Sequence, residues 1–280
     1  MSTDFSLGGH AGALAARRWD PTREPRYVAV IVHGYGEHLG RYEHVAARLV
    51  EDGAVVYALD HVGHGRSEGE RVLIGDLEKV VDDLRVLERL AHGEHPALPV
   101  AMVGHSMGGT IATRYAQRYA ADLACVVLSA PAIGEWAALD ALLAAEQIPD
   151  VPIDPDVLSR DPAVGAAYAA DPLVWHGPFK RPTLLALRAA LEAIRSGPAF
   201  EGLPVLWLHG TDDQLVPYEG TAKGWNTLAG AGDEASTYRG ARHEIFNETN
   251  RREVLSDVVA FIGRQLTPRA PAPKRRRKRS

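Results

Sequence analysis

Residues 100–111 constrain the fold of this chain more than any other stretch, because a run of apolar residues there meets a tight turn and a helix-permissive segment. The turn has the pattern Gly-x-Ser-x-Gly, in which Gly104, Ser106 and Gly108 hold the fixed positions. A serine in such a strand–turn–helix unit sits on strained backbone that lifts its hydroxyl above the sheet edge. Glycines fit where the helix and a neighbouring strand approach so closely that a Cβ would collide. The stretch therefore predicts an exposed serine at the carboxyl end of a buried strand.

The segments around this turn alternate between strand and helix patterns. Continuous apolar runs at residues 27–32, 54–59 and 123–130 are typical of strands that are buried on both faces. Helix patterns at residues 42–52 and 77–90 lie between these runs. The alternation predicts an α/β fold with a doubly wound, mostly parallel sheet.

The alternation stops after residue 131 and resumes at residue 203. Helical apolar clusters and several prolines occur in between, without a strand pattern. An insertion of this length is rarely a bare loop, so we predict a helical cap that is inserted between core strands and covers the carboxyl edge of the sheet. The expected organisation is a core in two parts (residues 1–131 and 203–267), a cap (residues 132–202) and a disordered basic tail (residues 268–280).

The chain combines an acidic body with a basic end. Seven of its last twelve residues are Lys or Arg, and without these seven, 24 basic side chains remain against 36 acidic ones. An acidic body argues against a nucleic-acid partner. The basic tail is interpreted either as a solvated end or as a tether to anionic lipid.

The expected location is the cytoplasm, and peripheral contact with a membrane stays open. No apolar stretch approaches the roughly 20 residues that span a bilayer, and the first residues lack the pattern of a secretory signal. Cys125 is the single cysteine, so no disulfide can form within the chain. This composition fits a reducing compartment.

The serine of the turn needs a base and an orienting acid, because a serine hydroxyl is a poor nucleophile at neutral pH. Where this turn carries a nucleophile, the acid and then the histidine follow it along the chain. Ser106 is the predicted nucleophile, and His243, between the last strand and the last helix, is the predicted base. Two adjacent carboxylates, Asp212 and Asp213, compete for the role of the acid. The spacing Gly-x-x-Asp-x-x-Val-Pro favours Asp213, and Asp212 would then stabilise the turn.

An oxyanion formed at this serine needs two backbone donors. We assign them to the N–H of Met107, directly after the nucleophile, and the N–H of Tyr35, in the loop after the first parallel strand. His61 and His64 are three residues apart, but no acidic or Cys partner stands at metal-site spacing. We therefore expect no metal and no organic cofactor, and a buried position for His105 beneath the turn.

Six segments of the sequence resemble the monoacylglycerol lipases, a branch of the α/β-hydrolases. The segment at residues 60–71 is the most specific of them, since a generic α/β-hydrolase keeps only the Asp, the glycines and the Ser of this segment. The matching segments span nearly the whole chain to about residue 266 and comprise residues 33–38 with 40–42, 60–71, 104–109, 168–173, 210–213 and His243.

The resemblance implies an α/β-hydrolase fold and a cytosolic or peripherally membrane-bound serine lipase. Such an enzyme would cleave monoacylglycerols to a fatty acid and glycerol, with little activity on triacylglycerols. Membrane contact through the cap and the basic tail stays open, since the apolar cap residues and the charge of the tail would both permit it. The family's polar residues on the glycerol side map onto Glu37, Arg41 and Tyr168. Phe246 stands where some members of the family have a polar His.

Two other functions remain open at this stage. A broader carboxylesterase or a lysophospholipase would use the same triad, and a non-catalytic α/β-hydrolase relative would serve as a binding module. The role of the apolar cap residues is open as well, because they could line an acyl tunnel, face a membrane or simply pack on the core. These residues are Leu139, Leu142, Leu143, Ile148 and Val151.

Overall fold

The computed structural model describes residues 1–266. The tail predicted at residues 268–280, and residue 267 at the end of the predicted core, lie outside the described residues.

A single sheet contains all eight strands of the described chain. The strands are β1 (Ser2–Gly9), β2 (Gly12–Trp19), β3 (Tyr27–Val32), β4 (Ala54–Leu59), β5 (Val100–His105), β6 (Cys125–Ser129), β7 (Val205–Gly210) and β8 (Glu234–Tyr238). Their order across the sheet is β1-β2-β4-β3-β5-β6-β7-β8. The pairs β1–β2 and β2–β4 are antiparallel, and every other pair is parallel. The mostly parallel sheet that the alternating pattern predicts is thus confirmed.

Helices cover both faces of this sheet. They are α1 (Glu43–Glu51), α2 (Leu77–Glu94), α3 (Met107–Tyr119), α4 (Ala137–Ala144), α5 (Pro162–Ala170), α6 (Arg181–Ser196), α7 (Tyr218–Leu228) and α8 (Arg251–Leu266). Alternate residues of β3 divide between two apolar layers: Val28 and Val30 pack with α2, α3, α6 and α7, whereas Ala29 and Ile31 pack with α1 and α8. Successive side chains of a strand point to opposite faces, so a strand covered on both faces reads as a continuous apolar run.

The chain between β6 and β7 contains α4, α5 and α6, and no strand. Prolines lie in the first turns of α5 and α6, where their missing N–H costs no helical hydrogen bond. Helix α6 packs against α2, α3 and α4. Leu139 of α4 is buried in the core with Leu184 and Leu187, while Val151 is 66% exposed. Within residues 1–266, no helix is long and apolar enough to cross a membrane.

Candidate active site

Ser106 lies at the sharp turn between β5 and α3. Its backbone has φ 53° and ψ −119°, a conformation that a residue with a Cβ rarely adopts. Close approach of the neighbouring backbone explains the glycines around it: a Cβ on Gly108 would lie 2.1 Å from the carbonyl oxygen of Val32, and one on Gly104 would lie 2.5 Å from that of Gly108. The turn therefore exposes Ser106 at the carboxyl edge of the sheet, directly before the N-terminus of α3.

A histidine and an aspartate meet beside this turn. The Nδ1 atom of His243 lies 2.8 Å from Oδ2 of Asp213, and both side chains are buried. The other carboxylate oxygen of Asp213 accepts the backbone N–H groups of Leu215 and Val216, each at 2.9 Å. Asp212 is exposed, and within residues 1–266 its carboxylate accepts a hydrogen bond only from the hydroxyl of Thr211. Of the two candidate acids, the structure thus brings Asp213 to His243.

The electrostatics of this pair favour an ionised acid. Burial opposes ionisation of Asp213, but the nearby His243 and hydrogen bonds from His209 and His243 hold the pKa of the carboxyl well below its usual range. Burial by itself would lower the pKa of His243, yet the charge of Asp213 and its hydrogen bond outweigh burial and raise that pKa. Asp213 can therefore hold the Nδ1–H tautomer of His243 and leave Nε2 free to accept a proton.

Ser106 and His243 line the same cavity. No hydrogen bond joins the Ser106 hydroxyl to His243 within the described chain. Such bonds are often loose in the absence of substrate and tighten in the reactive complex.

The loop after β3 lies against Ser106. A Cβ on Gly34 would be 3.2 Å from Cβ of Ser106. His33 accepts the backbone N–H of His61 on Nε2, so its Nδ1–H donates to the carbonyl of Gly34 at 2.8 Å. This bond fixes the peptide that ends in the N–H of Tyr35. Across residues 1–266 the backbone N–H groups of Tyr35 and Met107 have no protein acceptor, which leaves both free for an oxyanion.

One wall of the cavity is a buried group of charges. Arg41 donates from Nη1 to Oε2 of Glu37 at 2.8 Å and to Oε1 of Glu244 at 2.6 Å, and from Nη2 to Oε2 of Glu244 at 2.8 Å. The ring of Tyr168 lies 5.1 Å from the Arg41 guanidinium. Glu37, Arg41 and Tyr168, which the sequence resemblance maps to the glycerol side, therefore meet beside Ser106.

The remaining wall is apolar and narrow. Its residues are Trp136, Ile153, Leu158, Phe179, Leu215 and Val216. The cavity contains only about 30 Å³ of water-accessible space, enough for two or three water molecules. None of the five apolar cap residues that could form an acyl tunnel lines it. Leu139 packs in the core, and Leu142, Leu143 and Ile148 pack against that core, so an open tunnel formed by these residues is absent from this cavity.

Trp136 also lines a second, larger cavity. The second cavity contains about 450 Å³ of water-accessible space between α4, α6 and α7, and Trp136 lines both. The indole Nε1–H of Trp136 donates to the carbonyl of Leu215 at 2.8 Å, which fixes the orientation of the ring.

The three other histidines that the sequence analysis considered, His61, His64 and His105, are buried and neutral. Burial lowers the pKa of His61 to about 3, that of His64 to about 4 and that of His105 to about 3. His105 lies behind the site, with its ring centroid 4.8 Å from that of His243. Among residues 1–266, no group of three or more His, Cys, Asp or Glu side chains is arranged to hold a metal ion.

Two residues of the site were missed by the sequence analysis. Glu244 directly follows His243, and only the fold brings it to Arg41, 203 positions away. His209 accepts Trp207 Nε1–H on Nδ1 and places Nε2 3.2 Å from Oδ2 of Asp213. The sequence could have indicated His209, because it lies near the carboxyl end of β7, directly before the loop that contains Asp213.

Comparison with known proteins shows the family to which the chain belongs. The family described as serine aminopeptidase, S33, matches residues 23–250. The monoacylglycerol lipase of Mycolicibacterium smegmatis is 41% identical over 93% of this chain and 96% of that protein. The human monoglyceride lipase is 34% identical over 91% and 87%. A carboxyl esterase from Bacillus coagulans, solved in complex with glycerol, has a TM-score of 0.82 and 26% identity over 95% of this chain and 99% of that one. These matches confirm the resemblance and the fold class.

Proposed function

The chain belongs to the monoacylglycerol lipase family of α/β-hydrolases, which are carboxylic ester hydrolases, and we propose that it hydrolyses monoacylglycerols to a fatty acid and glycerol. One observation carries the proposal: the cavity that contains Ser106 and His243 has an apolar wall on one side and a buried polar wall on the other. A monoacylglycerol has the same division, with the scissile ester between its acyl chain and its glycerol.

The reaction begins with attack of Ser106 Oγ on the ester carbonyl carbon, while Nε2 of His243 takes the hydroxyl proton. The imidazolium is stabilised by Asp213, which stays ionised. The negative charge that develops on the carbonyl oxygen is bound by the N–H groups of Tyr35 and Met107. Collapse of the tetrahedral intermediate breaks the ester bond, and His243 returns the proton to the departing glycerol oxygen.

The second half of the reaction repeats these steps with water. His243 takes a proton from a water molecule as its oxygen attacks the acyl-enzyme, and the same backbone donors bind the oxyanion. The bond to Ser106 Oγ then breaks, the serine recovers its proton from His243, and the fatty acid leaves. The partial positive charge at the N-terminus of α3 adds to the stabilisation of both intermediates.

The glycerol hydroxyls would contact Glu37, Arg41 and Tyr168. The hydroxyl of Tyr168 forms no hydrogen bond within the described part of the chain. Carboxylate oxygens accept hydroxyl protons and a phenol hydroxyl can donate, so this wall suits a small polyol.

The acyl chain requires a wider space than the present cavity offers. About 30 Å³ cannot hold a long acyl chain, whereas the 450 Å³ behind Trp136 can take a large part of one. Entry of the chain would therefore involve movement of the segments that carry Trp136, Ile153 and Phe179, which would also exclude water during the reaction.

Substrate would be drawn from a lipid surface at the cap. Val151 is 66% exposed and Leu185 is 42% exposed, both in the chain between β6 and β7. Sedimentation with phosphatidylcholine vesicles tests this contact: we expect the double variant Val151→Asp, Leu185→Asp to bind more weakly than the wild type. Equal binding would argue against contact through the cap.

A substrate panel distinguishes the proposed activity from that of a broader carboxylesterase or lysophospholipase. We expect kcat/KM for 1-oleoylglycerol to exceed the values for dioleoylglycerol and lysophosphatidylcholine by at least tenfold. Equal or higher values for either competitor would contradict the proposal in favour of the broader enzyme.

A further inference from the structure

We propose that Glu244 is a specificity-determining residue that gives the polar wall a net negative charge, so that the site accepts neutral polyol esters and excludes esters whose headgroup carries a phosphate. The inference rests on the proposed function, because it concerns the headgroup side of the same cavity.

The charges of the polar wall do not balance. Two carboxylates, Glu37 and Glu244, share the single guanidinium of Arg41. The side chains of both glutamates are 5% exposed and that of Arg41 is 10% exposed, so solvent screens this group poorly. Burial raises the pKa of Glu37, whereas at Glu244 the Arg41 guanidinium outweighs burial and lowers the pKa to about 2. With both glutamates ionised, the group carries one net negative charge beside the reacting ester.

No other cation on the cavity wall compensates for this charge. Arg41 is the only Arg or Lys among the described residues that line the cavity. Of the two histidines there, His105 is neutral, since burial lowers its pKa to about 3, and His243 must be neutral to act as a base. Its partner Asp213 adds a further negative charge behind it. A headgroup phosphate would therefore enter a field of its own sign.

The free hydrogen-bonding groups of the polar wall also favour a neutral polyol over a phosphate. Both protons of Arg41 Nη1 and one of Nη2 are already bound by carboxylates. Oε2 of Glu37 and Oε1 of Glu244 each accept one bond, which leaves each of them a lone pair. Free acceptors match the hydroxyl donors of a polyol. A phosphate has no protons to offer them when it is fully ionised, and only two of the five N–H donors of Arg41 are left for it.

Glu244 is a better probe of this charge than Glu37. Glu37 also accepts the N–H of Gly34 and the hydroxyl of Tyr42, each at 2.6 Å, and so supports the loop that supplies the Tyr35 donor. Among the described residues, the carboxylate of Glu244 accepts bonds only from Arg41 and from Asn247 Nδ2. A glutamine at position 244 keeps the shape, removes the charge and leaves Glu37 to pair with Arg41.

The test uses two esters that differ only in the phosphate, 1-oleoylglycerol and 1-oleoylglycerol 3-phosphate, in micelles of a neutral detergent. We expect kcat/KM of the wild type to favour the neutral ester by at least 100-fold. Glu244→Gln should reduce this preference by tenfold or more, chiefly by raising the value for the phosphate. Glu253→Gln, which removes an exposed charge on α8, is the matched control and should keep the wild-type preference.

A second measurement needs no variant. Glycerol and glycerol 3-phosphate are compared as inhibitors of p-nitrophenyl butyrate hydrolysis by the wild type, and glycerol 3-phosphate should inhibit at least tenfold more weakly. Equal or stronger inhibition by the phosphate, or an unchanged preference in an active Glu244→Gln variant, would overturn the role of Glu244. A wild type that does not hydrolyse 1-oleoylglycerol would instead contradict the proposed function.

Discussion

Oδ2 of Asp213 lies 2.8 Å from Nδ1 of His243, although 30 positions separate the two residues in the chain. The adjacent Asp212 is exposed, and its carboxylate accepts a hydrogen bond from the hydroxyl of Thr211. The loop after β7 therefore presents two neighbouring carboxylates in unrelated environments, which allows a matched pair of substitutions.

Asp213→Asn should lower kcat for p-nitrophenyl butyrate by about 10³–10⁴-fold, because the neutral amide no longer holds the correct tautomer of His243 or stabilises its imidazolium. Asp212→Asn should stay within about twofold of the wild type, since surface substitutions away from the site have small effects. Circular dichroism would verify that both variants are folded. A large loss in Asp212→Asn with an active Asp213→Asn would reverse the assignment.

The rate should fall in acid with a midpoint above pH 6.5. The charge of Asp213 raises the pKa of His243 despite burial, and only the neutral imidazole can take the proton of Ser106. Protonation of His243 as the pH falls through its raised pKa therefore removes the base. His105 does not titrate in this range, because its pKa is about 3. The profile of kcat/KM for a neutral ester between pH 5 and 9 tests this expectation, and a midpoint below pH 6 would contradict it.

Gly108→Ala should destabilise the protein by about 1–3 kcal/mol, because the new Cβ meets the backbone of β3 and cannot be accommodated by a side-chain rotation. Gly75→Ala is the control, since a Cβ there meets no atom within 4 Å. Its effect should be within about 0.5 kcal/mol. The two free energies of unfolding are compared by urea denaturation; equal values would mean that the approach of α3 to β3 is less tight than described.

Trp136→Ala should raise the ratio of kcat/KM for p-nitrophenyl laurate to that for the butyrate. Trp136 lines both the narrow cavity beside Ser106 and the 450 Å³ cavity, so we expect removal of the indole to connect them. Because both esters are measured on one preparation, the ratio does not depend on the folded fraction. A ratio that stays the same or falls would show that long chains take another route.

The core was predictable from the sequence because its strands are covered on both faces. The apolar runs at residues 27–32 and 54–59 coincide with β3 and β4, since every residue of these strands is buried. The tight turn at Ser106 was predictable as well, because its glycines lie where the neighbouring backbone is too close for a Cβ.

The sequence predicts helices between β6 and β7, but it predicts neither the surface on which they pack nor the place of Glu244 in the polar wall. The spacing of Leu139, Leu142 and Leu143 indicates a shared helical face but not the surface that covers it, and the structure places that face on the core. A glutamate in a loop, such as Glu244, resembles any solvated side chain until the fold brings Arg41 to it. Long-range ion pairs leave no periodic signal in a sequence.

The role of Ser106 as the nucleophile is tested most sharply with the wild type and the Ser106→Ala variant. Each protein is incubated with 1-oleoylglycerol and, separately, with a fluorophosphonate. The wild type should release glycerol and oleate in equal amounts and take up one phosphonate, which peptide mass spectrometry should locate on Ser106. Ser106→Ala should show neither reaction while keeping the wild-type circular dichroism spectrum. Turnover by Ser106→Ala, or a phosphonate on another residue, would contradict the assignment of Ser106 as the nucleophile.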